Sequence, residues 1–495
     1  MPLTKPPPPS ERSPLLVKPQ TPSISSSYSD SITGITTYLT PWRQHLTLFT
    51  SLTNCLFAGS VLVYSLWAPL FLSRLHYTQM QVNAISSTAE ALMYGPVPVF
   101  GFICDRYGPD KLSALSSLFF GPGYAIAALA YAGGWSYMFM LVGFGLVGMG
   151  TSSMYFSGVT TCAKTFTGRR GLALAAPIAA FGLSSLWMTQ LVSRVFVEED
   201  GTLDVEKAFW FFSITLVIVG FLGSIGLRGV REEYEELETE DLTDEEEAAL
   251  EKGRWINSDT RAFLKDRTMW WFAAGVFLVT GPGEAFINNM GTLITTLRPL
   301  PTSLNAPILP PPVSPALHVS LIALTSTFSR LFAGSLSDYL APSAPTLPPT
   351  KPRFSCSRLY ILFSFSLLMF LGFFLVATSF IYTHPKLFFL VSSTIGAGYG
   401  AVFCLAPTVV SVVWGTKNFG TNWGIVTMTP AVGATVFGSM FSAEYDKHAE
   451  GGVCMGSHCA SMSFAAMAGC VLVAVAGWWW TWKGQGGWKQ RGVVV

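Results

Sequence analysis

Nearly uncharged apolar runs of about twenty residues, separated by short polar breaks, recur along almost the whole chain. An α-helix rising ~1.5 Å per residue needs about 20 such residues to cross ~30 Å of hydrocarbon. The pattern predicts spans at Phe49–Leu72, Val82–Cys104, Leu112–Gly133, Tyr137–Ala163, Gly171–Ser193 and Ala208–Leu227. A polar segment, Arg228–Arg267, follows. Six more spans come after it: Met269–Leu293, His318–Asp338, Leu359–Tyr382, Leu387–Val413, Trp423–Ala443 and Ala460–Trp482. The expected fold class is an all-α polytopic membrane protein of twelve transmembrane helices. Two six-helix bundles are expected at residues 46–227 and 268–483.

Composition agrees with this reading. Of 495 residues, 50% are apolar and 12% charged, about half the ~25% usual in soluble domains. A net charge of +1 provides no electrostatic footprint for nucleic acid. No P-loop, H-E-x-x-H or nucleophile elbow is present, so neither an enzyme, an ATP-driven pump nor a cofactor is expected. Lys and Arg settle the expected orientation. The segments on the N-terminal side hold 23 of them and the opposite loops six, with Arg330 inside a span. By the positive-inside rule both termini are cytoplasmic. Residues 1–45, rich in Pro, Ser and Thr, read as a disordered cytoplasmic tail. Residues 228–267 read as an acidic linker, its core a solvated amphipathic helix, and 484–495 as a second cytoplasmic tail.

The two halves echo each other. The second span ends Gly101-Phe-Ile-Cys-Asp105 and the eighth ends Gly334-Ser-Leu-Ser-Asp338, the same G-x-x-x-D six spans apart. The fourth span carries Gly143, Gly145, Gly148 and Gly150, and the tenth Gly396, Gly398 and Gly400. Such glycine rows let helices approach closely. The loop after the second span continues Asp105-Arg106-Tyr-Gly108-Pro-Asp-Lys111. In full it resembles the G-x-x-x-D-R-x-G-x-x-K signature of the major facilitator superfamily. The resemblance implies the major facilitator fold and a gating role for Gly101, Asp105, Arg106, Gly108, Lys111, Gly334 and Asp338, as a latch between the halves.

Further stretches are similar to the monocarboxylate-porter group. They are Ser65–Phe71, Tyr77–Asn83, Phe166–Ala173, Phe181–Ser185 and Arg330-Leu-Phe-Ala-Gly334. Together they resemble the fungal monocarboxylate-transporter homologues, in particular their vacuolar, nodulin-like branch. The resemblance implies transport in the vacuolar membrane, with Arg330 where such porters bind a substrate carboxylate. Two features depart from the porter pattern. Ser326 stands where the porters carry an Asp four residues before that Arg, and the acidic-Gly-Trp entry to the first helix is absent. The family name therefore does not fix the substrate.

Glu90, Glu284 and Arg330 lie well inside predicted spans. Intramembrane charge is costly, so each is a functional candidate. At ~1.5 Å per residue Glu90 and Glu284 sit about 12 Å below the outer surface, and Arg330 about 12 Å above the cytoplasmic one. Gly281-Pro282-Gly283 is expected to break or kink the seventh span just before Glu284, with Asn288 a turn further on. Glu284 reads either as a proton-coupling or substrate-contacting group, or as a protonated carboxyl bonded between helices. For Glu90 the structural role is favoured. Arg330 binds a substrate anion, or else pairs with helix-end carbonyls or with Asp338.

Glu11-Arg-Ser-Pro-Leu15-Leu16 resembles an acidic di-leucine sorting signal, which a sorting adaptor would read. Cys454 and Cys459 fall in the last outer loop, where a disulfide is expected; the rival is a metal site with His458. The primary expectation is a secondary transporter of a small organic solute, anionic or not, across the vacuolar membrane by alternating access, coupled to protons or facilitative. The alternative is a non-transporting membrane sensor or scaffold on the same fold.

Overall fold

Among the described residues, twelve helical crossings follow one another. The computed structural model describes residues 41–197, 203–240, 257–297, 313–340, 355–449, 454–493 and 495. In the first half lie α1 (Pro41–Ala58), α2a (Gln79–Tyr94), α2b (Val97–Tyr107), α3 (Pro109–Gly133), α4 (Tyr137–Thr165), α5 (Arg170–Val195) and α6 (Val205–Glu240). In the second lie α7 (Arg267–Thr296), α8 (Pro315–Leu340), α9 (Arg358–Ala377), α10 (Phe388–Val413), α11 (Phe419–His448) and α12 (Ser461–Lys483). Among the described residues the only β pairing is an isolated bridge between Val197 and Leu203.

Eleven of the crossings are helical segments long and apolar enough to span by themselves. The second is made of two shorter helices, because Gly95-Pro96 separates α2a from α2b. Proline has no N–H to donate, and its ring crowds the preceding turn. Proline alone does not decide this. Pro122, Pro177, Pro282, Pro407 and Pro430 all lie inside continuous helices. The break expected at Gly281-Pro282-Gly283 is absent: α7 runs unbroken through it. Those glycines serve packing instead. A Cβ on Gly281 would lie 2.7 Å from the Gly433 Cα of α11, and one on Gly283 would lie 2.6 Å from the Tyr399 ring of α10.

The ends of the helices carry local signals. Thr78 and Gln81 form a capping box at α2a, which satisfies two orphan N–H groups reciprocally. Ser357 caps α9 and Asp266 caps α7. The first crossing starts at Pro41, ahead of its apolar run, and continues past α1 as a 3-10 turn over Gly59–Leu66 and a short helix over Ala68–Ser73. The 36 residues of α6 extend about 54 Å. That is well beyond the hydrocarbon thickness, so the start of the acidic segment continues this helix.

The repeat seen in the sequence is a repeat in packing. In lipid, helices associate through close van der Waals fit rather than hydrophobic burial, which favours small residues at contacts. Gly145 and Gly148 of α4 face Leu92 and Ala89 of α2a, while Gly143 and Gly150 face Gly123 and Phe120 of α3. Gly396 and Gly400 of α10 face Ile322 and Ser326 of α8, while Gly398 faces Met369 of α9. The fourth helix of each half is thus wedged between the second and third of that half. An even number of crossings places the described ends, Pro41 and Val495, on one face, called the terminal face below.

Candidate functional site

Asp105, near the end of α2b, reaches across to the other half. Its Oδ1 accepts from the Gly420 N–H at 3.1 Å; its Oδ2 accepts from the Thr421 N–H at 2.6 Å and the Thr421 hydroxyl at 2.8 Å. These are orphan donors of the first turn of α11, where the helix dipole favours negative charge. Lys164 Nζ, at the end of α4, sits 2.9 Å from the same carboxylate, with the two side chains 10% and 5% exposed. Gly101 makes the approach possible, since a Cβ there would run into the Gly420 carbonyl. Gly108 adopts φ +93°, a conformation open to glycine and strained for other residues. Arg106 and Lys111 are not on the carboxylate. They stand over aromatic rings, Arg106 5.2 Å and Lys111 5.6 Å from the Tyr107 centroid.

Asp338 does the same from α8. Its Oδ1 and Oδ2 accept from the Gly171 and Leu172 N–H groups of α5, both at 2.8 Å. Gly171 and Gly334 pack so closely that a Cβ on either would strike the other's carbonyl. The cation here is Arg358, 3.8 Å away. Both carboxylates therefore cap the fifth helix of the opposite half, on the terminal face.

Deeper in, Glu284 of α7 is shared between the halves. Its Oε1 accepts from the Tyr94 hydroxyl of α2a at 3.2 Å, and also from the Tyr399 hydroxyl of α10. Tyr94 stands on the last turn before the Gly95-Pro96 break, so the break places it. Arg330 is 7% exposed and donates from Nη1 to the Ile178 carbonyl of α5 at 3.1 Å. It does not reach Asp338, whose neighbouring cation is Arg358. Its guanidinium lies over Gly182, where a Cβ would collide with it. Arg330 Nε and the Thr327 hydroxyl, one turn earlier, are buried with no hydrogen-bond partner. Arg330 interacts electrostatically with Glu284 and with Tyr155. Glu90 is exposed and within electrostatic reach of Glu284. Asn288 is exposed, a turn beyond the cluster.

On the opposite face Cys454 and Cys459 are joined in a disulfide, with Cα atoms 5.9 Å apart. The loop is tied to the end of α7 by a bond from the Gly456 N–H to the Thr296 carbonyl, 2.9 Å. His458 lies close to both sulfurs, which are engaged with each other. Glu11, Leu15 and Leu16 fall outside the described residues.

Sequence reasoning did not single out Lys164, Arg358 or Tyr94 as partners. Lys164 and Arg358 counted only as loop charges, and Tyr94 as one aromatic among many. Their positions at helix ends beside a glycine motif or a Gly-Pro break were the available signal.

Residues 50–438 match the Major Facilitator Superfamily. The chain is 41% identical to the Neurospora crassa protein named "Probable transporter mch1", over 91% of this chain and 91% of that one. It is 42% identical to the Aspergillus fumigatus protein of the same name, over 89% and 86%. Among solved structures it resembles the proton:xylose symporter XylE, with a TM-score of 0.62 at 14% identity over 92% of this chain and 96% of that one. It also resembles the E. coli fucose:proton symporter FucP, with a TM-score of 0.58 at 11% identity over 88% and 98%.

Proposed function

The chain belongs to the Major Facilitator Superfamily and is a membrane transporter; from that premise we propose that it carries a small organic anion across the vacuolar membrane, coupled to protons. Both termini face the cytoplasm in this reading, and the di-leucine signal Glu11, Leu15 and Leu16 is the adaptor-read address. The two halves rock about the mid-depth cluster, as alternating access requires.

One observation carries the proposal: Glu284, bonded to Tyr94 across the inter-half boundary, shares its site with Arg330, which holds an unpartnered buried Nε. As a carboxylate, Glu284 accepts from both tyrosines and ties the halves together. Protonated, it presents one donor and fewer acceptor sites, which weakens the tie to Tyr94. An anion on Arg330 and Thr327 would satisfy donors that otherwise stay buried and unpaired, a state costing about 1–3 kcal/mol per group. Proton and anion thus act on adjacent groups, which is what coupling needs.

The test uses the purified protein in liposomes with an imposed pH gradient and a panel of labelled carboxylates. Glu284→Gln should abolish gradient-driven uptake while leaving exchange at zero gradient. Arg330→Gln should lose both. Unchanged pH dependence in the Glu284 variant would sink the coupling.

A further inference from the structure

The two latch carboxylates differ in how their counter-charge is met. Asp105 is in direct contact with Lys164. Asp338 has two arginines around it and touches neither closely. Arg358 Nη2 stands off at 3.8 Å. Arg170 immediately precedes the Gly171 and Leu172 N–H groups that hold the carboxylate, and it sends Nη1 to the Ser411 carbonyl at 3.0 Å. Both oxygens of Asp338 are already taken by backbone donors. Arg358 Nε is buried with no hydrogen-bond partner, although the side chain is 12% exposed and so reachable at its edge. Its backbone N–H is occupied by the Val495 oxygen. The two guanidinium groups are near enough to repel each other. Arg169, next to Arg170 in the chain, lies exposed.

Two like charges held together, with an unfilled donor on one of them, are a site short of an anion. Arg169, Arg170 and Arg358 against Asp338 leave two positive charges over among these side chains. A phosphate monoester carries about −1.5 to −2 at pH 7. The planar guanidinium fork suits phosphate bidentately, whereas an ammonium such as Lys164 acts as a point charge. We infer that Arg170 and Arg358, with Arg169 at the rim, form a binding site for a phosphate group on the terminal face, where α5, α8 and α9 meet. The group comes from free phosphate or from the headgroup of a phosphorylated lipid. Binding draws Arg358 away from Asp338 and so loosens or resets only the second latch. The site is separate from the mid-depth cluster and stands whether or not that cluster couples protons.

The test is a binding measurement on the purified full chain. One arm titrates inorganic phosphate into detergent-solubilised protein against a chloride control, read by thermal shift. The other compares nanodiscs of phosphatidylcholine with nanodiscs that also contain phosphatidylinositol phosphate. Saturable stabilisation in the first arm assigns the site to a soluble anion, and stabilisation confined to the second assigns it to a lipid headgroup. In either case Arg358→Lys, which keeps the charge and loses the fork, should weaken binding about tenfold, the loss of roughly one charge-assisted hydrogen bond. Arg170→Gln should weaken it at least as much, and Lys164→Gln should leave the affinity unchanged. No binding in either arm, or binding that neither arginine variant alters, overturns the inference.

Discussion

Asp105 and Asp338 occupy equivalent places in the two halves and perform the same backbone task with different partners. Each spends both oxygens on the first N–H groups of a helix in the opposite half. The first adds a close, buried lysine; the second adds an arginine at a distance. The shared part is helix capping across an interface, which needs only a carboxylate, a glycine for approach and a helix start. The part that differs is counter-charge, which capping does not dictate. The comparison therefore separates the cap that both halves share from the counter-charge in which they differ.

The strongest way to break the comparison is to remove each carboxylate in turn. Asp105→Ala loses a cap and breaks the buried 2.9 Å ion pair with Lys164, a combination costing about 3–5 kcal/mol. Asp338→Ala should cost closer to the ~0.5–2 kcal/mol of a lost cap, because its ion pair with Arg358 is the longer one at 3.8 Å. Thermal unfolding in detergent should rank them in that order. Adding Lys164→Ala to the first variant should recover part of the loss, while adding Arg358→Ala to the second should recover little. Equal losses, or equal recovery, would erase the asymmetry.

The glycines sharpen the shared part. Gly101→Ala should push α2b off α11 by collision with backbone, and Gly334→Ala should push α8 off α5, each at about 1–3 kcal/mol. Both should raise cysteine-reagent labelling at the terminal face, and labelling of one variant only would mean that the two latches are not equivalent closures. At mid-depth, Tyr94→Phe removes a bond between halves and Tyr399→Phe one within the second half. Each is worth about 0.5–1.5 kcal/mol as a hydrogen bond, and about 1.5–3 kcal/mol when the carboxyl is ionised. Only Tyr94→Phe should change that labelling, and a matching change with Tyr399→Phe would move the inter-half tie elsewhere.

Much of the fold was legible because the bilayer leaves a chain few options. A crossing needs its own run of apolar residues, and the run shows in the sequence. The second crossing and the seventh show where this stops. Gly95-Pro96 breaks a helix and Gly281-Pro282-Gly283 does not, since the outcome depends on what packs beside each. Gly281 is pressed against Gly433 and Gly283 against Tyr399, neighbours more than a hundred residues away in the chain. The candidate site divides the same way. Glu284 and Arg330 stand out because charge is rare in these spans, and Asp105 and Asp338 because each closes a repeated G-x-x-x-D motif. Their partners do not, because capping of α11 by α2b and of α5 by α8 joins residues with no local pattern in common.

The smallest expected effect concerns the segment that follows α12. Arg491 makes two bonds to Asp266, 2.8 and 3.0 Å, and Trp488 donates to Thr268 at 2.9 Å. Burial pushes the Asp266 carboxyl up, but hydrogen bonds from Arg491, Thr268 and Trp414 outweigh it and hold it below the ordinary range. A depressed carboxyl contributes stability above its unfolded value, about 3.9, and loses it as pH falls through the folded value. Trp488 emission should therefore shift only in strong acid, and Asp266→Asn should remove that transition. A transition that survives in the variant would place the titrating group elsewhere.

The central claim is that two cross-capping carboxylates hold the terminal face closed. It is tested most directly by the distance between spin labels at positions 111 and 417, exposed lysines on opposite halves of that face. In the otherwise unaltered protein the distribution should be short and narrow. With Asp105 and Asp338 both changed to alanine, and the fold intact by circular dichroism, it should move to longer distances. An unchanged distribution in that double variant would contradict the account.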